Sequence, residues 1–365
     1  MSKVKEILQF FNGLAPFAYQ ESYDNSGLLV GDPDQEVKGI LVALDMTEEV
    51  VAEAVASGAN VVVAHHPIIF KGLKRLTGST YVERTVIEAI RQGVALIAVH
   101  TNADNYRFGV NHIISERLGL QNTRVLVPQE ASLLGLSVFV PETHAESLRV
   151  ALGEAGAGSI GEYDQCSFSS LGLGRFRPSE KANPHIGKAG ELESVAEERV
   201  SVILEKHQLS NVLNAMVASH PYEEVAHEIV ALNNENQYVG SGMVGELSEP
   251  MQTLDFLKFV KETFHCGAIR YTNPVKTQVQ RIAVCGGSGS FLLGAAKRVQ
   301  ADVFVTADFK YHEFFDAEKR IVIADIGHFE SEQFTSAWFV EVLNKKFTTF
   351  AVRLANVNTN PINYL

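Results

Sequence analysis

A chain of 365 residues is long for a single hydrophobic core, so two compact units are the first expectation. Hydrophobic residues make up 46% and charged residues 20%, which is ordinary for a globular protein of enzyme size. Basic residues number 31 and acidic residues 43, and the formal charge of −12 argues against a nucleic-acid surface, which needs a basic face to neutralise phosphates.

The N-terminal stretch "MSKVKEILQFFNGLAPF" lacks the long apolar run and cleavage site of a signal peptide and reads as an amphipathic helix. No segment approaches 18 consecutive apolar residues, so no membrane span is expected. Cys166, Cys266 and Cys285 are scattered and form no CxxC pair. They read as buried thiols in a reducing cytoplasm rather than as disulfides or a thiolate metal site.

A strand–helix–strand pattern then begins. "GILVALD" is a strand, "TEEVVAEAVASG" a helix with Thr47 as N-cap, and "ANVVVAHH" the next strand. A helix around "YVERTVIEAIRQG" ends at Gly93 and leads into the strand "VALIAVHTNAD". Near-continuous apolar strands alternating with helices imply a parallel sheet covered on both faces.

From about residue 128 to 238 the texture changes to alternating strands with loops rich in Gly, Ser, Pro and Asn. The order strand, helix, strand, strand, helix, strand predicts an inserted α+β unit of ferredoxin-like type over 128–238. It would split an outer α/β domain, with mainly parallel sheets, into 1–127 and 239–365, as insertions at exposed loops with adjacent ends allow. The earlier grammar returns in "RIAVCGGSGSFLLGAAKRVQADVFVTADFKYHE" and "RIVIADIGHF". Ala59–Val63 and Ala301–Val305 align as a pseudo-repeat of one βαβ-type half.

Three strand ends carry the polar residues that could do chemistry. They supply His65 and His66; then His100, Asn102 and Asp104; then Asp325, His328, Glu330 and Glu332. Ligands of open parallel sheets bind beyond the carboxyl ends of the strands, so these residues are expected to converge despite their separation in sequence. His328 and Glu332 stand at i and i+4, ahead of the helical pattern "SEQFTSAWFVEVLNKKF", and would share one helix face able to hold a divalent ion.

Adjacent strand residues point to opposite faces, so His65 and His66 cannot easily chelate one ion from a regular strand. With Pro67 turning the backbone, the two imidazoles are expected to serve two neighbouring ions, bridged by Asp104. Three His, one Asp and one Glu suit Zn, Fe, Mn, Co or Ni. "CGGSGS" reads as a tight turn more than a phosphate cradle, having neither GxxxxGK[ST] nor GxGxxG. Asp308, Lys310 and His312 in "TADFKYHE" read either as supporting or substrate groups or as a charged loop. In "SHPYEEVAHEIV", Glu223 and His227 are spaced to bind metal, but a turn followed by an amphipathic segment explains them as well.

Taken together, "DNSGLLVG", "ALDMTEEV", "AHHPIIF", "HTNAD", "CGGSG", "TADFKYH" and "GHFESE" occur in the order found in the Nif-three-like family (NGG-one-interacting factor three). Its bacterial members are often labelled GTP cyclohydrolase 1 type 2 homologues. The resemblance covers roughly 1–127 and 239–365, and the middle segment is similar to the PII/CutA-like insert of the longer bacterial members.

The resemblance implies a dinuclear site with His65, His66, Asp104, His328 and Glu332 as metal ligands, and Asp45, Lys310 and His312 nearby. It also implies a toroidal homohexamer with its metal sites facing an interior cavity. The expected function is metal-dependent hydrolysis of a small molecule, a nucleotide or purine-like ring, with Lys310 or His312 assisting by proton transfer or anion binding. The alternatives are a metal-trafficking or metal-sensing protein, or a metal-stabilised scaffold. The expected compartment is the cytoplasm.

Overall fold

The computed structural model describes residues 2–365 and divides the chain into two compact units. One runs to Pro128 and resumes at Gln237; the other is Gln129–Asn236.

The first unit opens on the helix Val4–Leu14, which buries Val4, Ile7 and Phe11 along one stripe. Strands β1 (Gly27–Val30), β2 (Gly39–Ala43), β3 (Val61–Ala64), β4 (Ala95–Ala98) and β5 (Gln121–Pro128) follow. The helix Glu48–Ala56 joins β2 to β3, capped by Thr47, whose hydroxyl accepts from the Val50 N–H. The helix Tyr81–Gln92 joins β3 to β4 and ends on Gly93 at φ 64°, a left-handed turn suited to glycine.

The second unit contains β6 (Leu133–Pro141), β7 (Ser167–Phe176), β8 (Glu193–Glu205) and β9 (His227–Ala231). Helices Ala145–Glu154 and Leu209–Ser219 give it a βαββαβ order. All its pairings are antiparallel, in the spatial order β7-β8-β6-β9 of a ferredoxin-like sheet. Val200, Leu136 and Val138 pack against Leu148 and Val212 of its two helices. His227 begins β9, whereas Glu223 lies in the preceding turn, so the two do not share a helix face.

The chain returns to the first unit with β10 (Gly240–Gln252), β11 (Arg270–Tyr271), β12 (Gln278–Ser288), β13 (Val303–Ala307), β14 (Val322–Asp325) and β15 (Ala351–Leu354). Two sheets result, ordered β1-β4-β3-β2-β15 and β11-β14-β13-β12-β10-β5. Each holds three sequential parallel strands, β2-β3-β4 in one and β12-β13-β14 in the other.

The first sheet is parallel except at β1, but the second is mixed, with β11, β10 and β5 antiparallel to their neighbours. This departs from the expected mainly parallel sheets. The β5–β10 pair is a ladder interrupted by the insert, and antiparallel pairing sets its two ends, Pro128 and Gly240, opposite each other. Gly240 is required there, because a β-carbon would collide with the Val127 carbonyl oxygen.

Alternation along the parallel strands fills both faces. Val61 and Val63 enter one core with Ile282, Val284, Val303, Val305 and Phe339, while Val62 and Ala64 enter another with Val51 and Val86. This double burial explains why these strands read as unbroken apolar runs. It also fixes their register, so each strand end delivers its next residue to a defined place.

Candidate metal centre

Beyond Ala64 the backbone leaves the strand, and the His66 N–H donates to the Leu44 carbonyl. The two rings therefore lie with centroids 4.9 Å apart instead of on opposite faces. His65 is fully buried, its ring 6.4 Å from that of Phe339. Its Nδ1 lies 2.9 Å from the Val99 carbonyl oxygen, an acceptor, so Nδ1 carries the proton and Nε2 presents a lone pair.

Three further histidines repeat the pattern with carboxylates. Nδ1 of His66 meets Asp45 at 2.7 Å, Nδ1 of His100 meets Asp24 at 2.7 Å, and Nδ1 of His328 meets Asp308 at 2.7 Å. In all four rings an oxygen acceptor holds Nδ1, which turns Nε2 away from that acceptor.

The short helix His328–Glu332 brings in the remaining carboxylate. Glu332 Oε2 lies 2.9 Å from His66 Nε2, 3.1 Å from His328 Nε2 and 3.8 Å from His65 Nε2. Asp104 Oδ1 is 3.5 Å from His65 Nε2. The ligand atoms of His65, Asp104 and Glu332 fall within 4.8 Å of one another, as do those of His66, His328 and Glu332. Glu332 is thus the carboxylate common to both of these groups, and Asp104, the expected bridge, falls in the first.

His100 joins a third group with His65 and His66. The "CGGSG" turn makes room for this meeting. Gly287 has φ +59°, and a β-carbon there would collide with the Glu332 carboxylate. The amides of Gly286 and Gly287 donate to Asn111 and Ser331 side chains, so they do not form an anion cradle.

Electrostatics follow from the crowding. The Glu332 charge, opposed by burial, pushes the His328 pKa up to about 11. Burial works against charging His66, yet Asp45 and Glu332 outweigh it and push its pKa up to about 9. Burial also opposes charge on His65, and Asp104 and Glu332 again prevail and raise it. Burial pushes Asp104 up, whereas Glu332 is held well below the usual carboxylate range, chiefly by His328, despite its burial. A knot of imidazole lone pairs and carboxylates this close requires positive charge, from protons or from a cation.

One pair of atoms leaves room for the cation. His65 Nε2 and Asp104 Oδ1 are both buried and both without a hydrogen-bond donor, and they face each other. Two inward acceptors of this kind fit a divalent cation with nitrogen and oxygen ligands.

The supporting residues are partly those foreseen. Asp45 orients His66 and accepts from the Thr359 hydroxyl at 2.5 Å. Asp308 orients His328. Lys310 and His312 do not line the cavity that contains the cluster; both are exposed, and His312 stacks near Tyr311 and Phe315. The backbone takes a left-handed conformation at Asp308 (φ 59°), Lys310 caps the turns Tyr311–Ala317, and His312 lies within them.

Asp24 received no role from the sequence. Its buried carboxylate accepts from the Thr101 N–H and hydroxyl and from Ser26 while holding His100. These donors outweigh burial and keep it well below the usual carboxylate range. Its only signal was membership of the "DNSGLLVG" motif.

Comparison with known proteins places this geometry in context. The family model described as Duf34/NIF3 (NGG1p interacting factor 3) matches residues 2–361. A protein of Halalkalibacterium halodurans named GTP cyclohydrolase 1 type 2 homolog is 39% identical over 98% of both chains. Its Bacillus subtilis namesake is 36% identical over 99% of this chain and 98% of its own. Among solved structures, a Bacillus cereus protein related to NIF3 superposes with a TM-score of 0.86 at 37% identity, covering 100% of this chain and 99% of that one.

Proposed function

Because the chain belongs to the Duf34/NIF3 family, we propose that it binds two divalent metal ions and uses them to hydrolyse a small molecule, a nucleotide or purine-like ring. The observation that carries the reading is the pair of donorless buried acceptors, His65 Nε2 and Asp104 Oδ1. The name GTP cyclohydrolase 1 type 2 homolog, carried by its relatives, is of the same reaction class.

His65, Asp104 and Glu332 would hold one ion, and His66, His328 and Glu332 the other, drawn from Zn, Fe, Mn, Co or Ni. Ions of this kind supply Lewis acidity and acidify water. The chain's own contribution is to fix the ligands. Val99, Asp45 and Asp308 hold the Nδ1 protons in place and keep each Nε2 free to bind. His100, held by Asp24 and lining the same cavity, is placed to move a proton to or from a bound molecule, the role that Lys310 and His312 were expected to fill.

The test is metal stoichiometry of purified wild type, His66→Ala and Glu332→Ala, followed by a turnover screen across nucleotides, peptides and esters. We expect two ions in the wild type and fewer in both variants. Two tightly held ions in both variants would refute the site, and no turnover by the two-ion protein would refute the hydrolase.

Metal delivery is a second reading, favoured by the exposure of His328, whose side chain is 36% accessible. Rapid exchange of the ion it would hold, without turnover, would decide for delivery.

A further inference from the structure

We propose that the cavity over this cluster receives an uncharged planar heteroaromatic ring and discriminates against phosphorylated forms of such a ring. The inference rests on the two-ion hydrolytic reading and narrows its substrate.

The cavity has a volume of about 630 Å³, within the range of small-molecule sites. Five phenyl or phenol side chains line it together with His66 and Glu332: Phe329, which is half-buried, and four exposed ones, Tyr23, Phe70, Tyr81 and Phe291. The latter four are 68%, 52%, 61% and 68% exposed, so they serve no core. They come from four separate places: the segment before β1, the segment after β3, the first turn of the helix Tyr81–Gln92, and the turn after β12. Local packing does not explain why all four face one opening, whereas exposed apolar side chains gathered at a cavity mark ligand sites. The Phe70 ring already stands edge-on to His100, at 5.7 Å and 86°.

Charge selects among ring compounds. Apart from the imidazoles, the charged side chains lining the cavity are Glu21, Asp45, Asp104 and Glu332. These four carboxylates balance two divalent ions, so a bound pair leaves no surplus positive charge for a polyphosphate. The wall's amides are also committed. Asn105 donates to the Tyr19 carbonyl and Glu21 and accepts from Ser241, and Asn111 bridges the Asp104 carbonyl and the Gly286 N–H. With these amides engaged and no lysine or arginine on the wall, ring faces are the main recognition surface, and stacking of this kind is worth about 5- to 150-fold in affinity per ring.

The experiment is calorimetric titration of zinc-loaded, full-length protein with three kinds of probe. These are purine, pyrimidine and pteridine bases or nucleosides; the matching triphosphates; and inorganic triphosphate. Turnover is followed in parallel.

We expect at least one uncharged ring to bind 10-fold or more tightly than its triphosphate. Phe291→Ala and Tyr81→Ala should each weaken that ring about 5-fold or more, with zinc content unchanged. Equal or tighter binding of the triphosphate, no binding of any ring, or unaltered binding by both variants would overturn the proposal. Ring binding without turnover of any compound leaves the proposal standing and removes the hydrolase reading. Preferential turnover of a triphosphate does the reverse.

Discussion

His65 is sealed in the interior beside Phe339, with a main-chain carbonyl as its anchor, whereas His328 stands 36% exposed and leans on Asp308, itself 47% exposed. The two groups of ligand atoms share Glu332 but differ in what holds them. The first takes a fully buried imidazole from the end of a central strand. Both take Glu332 from a five-residue helix, but the second also takes His328 from it and leans on carboxylates nearer solvent, Asp45 and Asp308. An interior ligand set released only by local unfolding holds its ion kinetically; a set at the surface exchanges it. The comparison predicts one slow ion and one fast one.

The largest effect should come from the shared residue. Glu332→Ala removes a ligand from both groups and is expected to reduce bound metal from two ions to nearly none, read by atomic absorption after dialysis. Retention of one ion would show that the groups are independent.

The single-group variants come next. His328→Ala should abolish the fast-exchanging ion and leave the slow one, whereas His65→Ala should abolish the slow one and, by leaving Asp104 buried without it, also lower thermal stability. Stepwise chelation with a colorimetric indicator separates the phases, and equal loss of both phases in both variants would break the comparison.

Orienting residues should matter less. Thr359→Val removes the hydroxyl that donates to Asp45 and should weaken the fast ion by about 10-fold, the lower end of such effects, with the slow ion unchanged. Thr359→Ser should restore it.

The smallest effect concerns Glu83, at the base of the loop leading to Tyr81. Its carboxylate accepts from Thr77 and Ser79, bonds that hold its pKa at about 2. A depressed folded-state pKa means stabilisation that is present above the ordinary glutamate range and lost as pH falls through the folded value. Wild type should exceed Glu83→Gln in thermal stability at pH 7, and the gap should close between about pH 4.5 and pH 2. Both ions should be unaffected.

What could be read in the sequence was local. Apolar runs identified β2, β3, β4, β13 and β14, because strands buried on both faces leave no polar interruption. The i, i+4 spacing of His328 and Glu332 survived because both lie within one turn of helix. The role of Glu332 as the common carboxylate was not legible. It depends on Gly287 yielding space and on the ends of β3 and β12 meeting, which is a property of the two sheets and not of any segment. The pairing of Asp24 with His100 was hidden for the same reason, since their bond spans 76 positions. Whether Lys310 and His312 face the cavity was not legible either, since it turns on the left-handed backbone at Asp308. The antiparallel half of the second sheet was missed because strand direction leaves no trace in composition.

The ladder of β5 and β10 carries a consequence for how such a chain can vary. Pro128 and Gly240 are direct cross-strand partners, so the backbone positions on either side of the insert are fixed by hydrogen bonds that neither insert residue makes. The junction acts as a socket: a short hairpin turn or a whole module closes the same gap with the same end-to-end span. Length at this point is therefore decoupled from the geometry of the histidine–carboxylate cluster. Compact and extended versions of the scaffold become interchangeable by grafting, provided the glycine at the socket is kept.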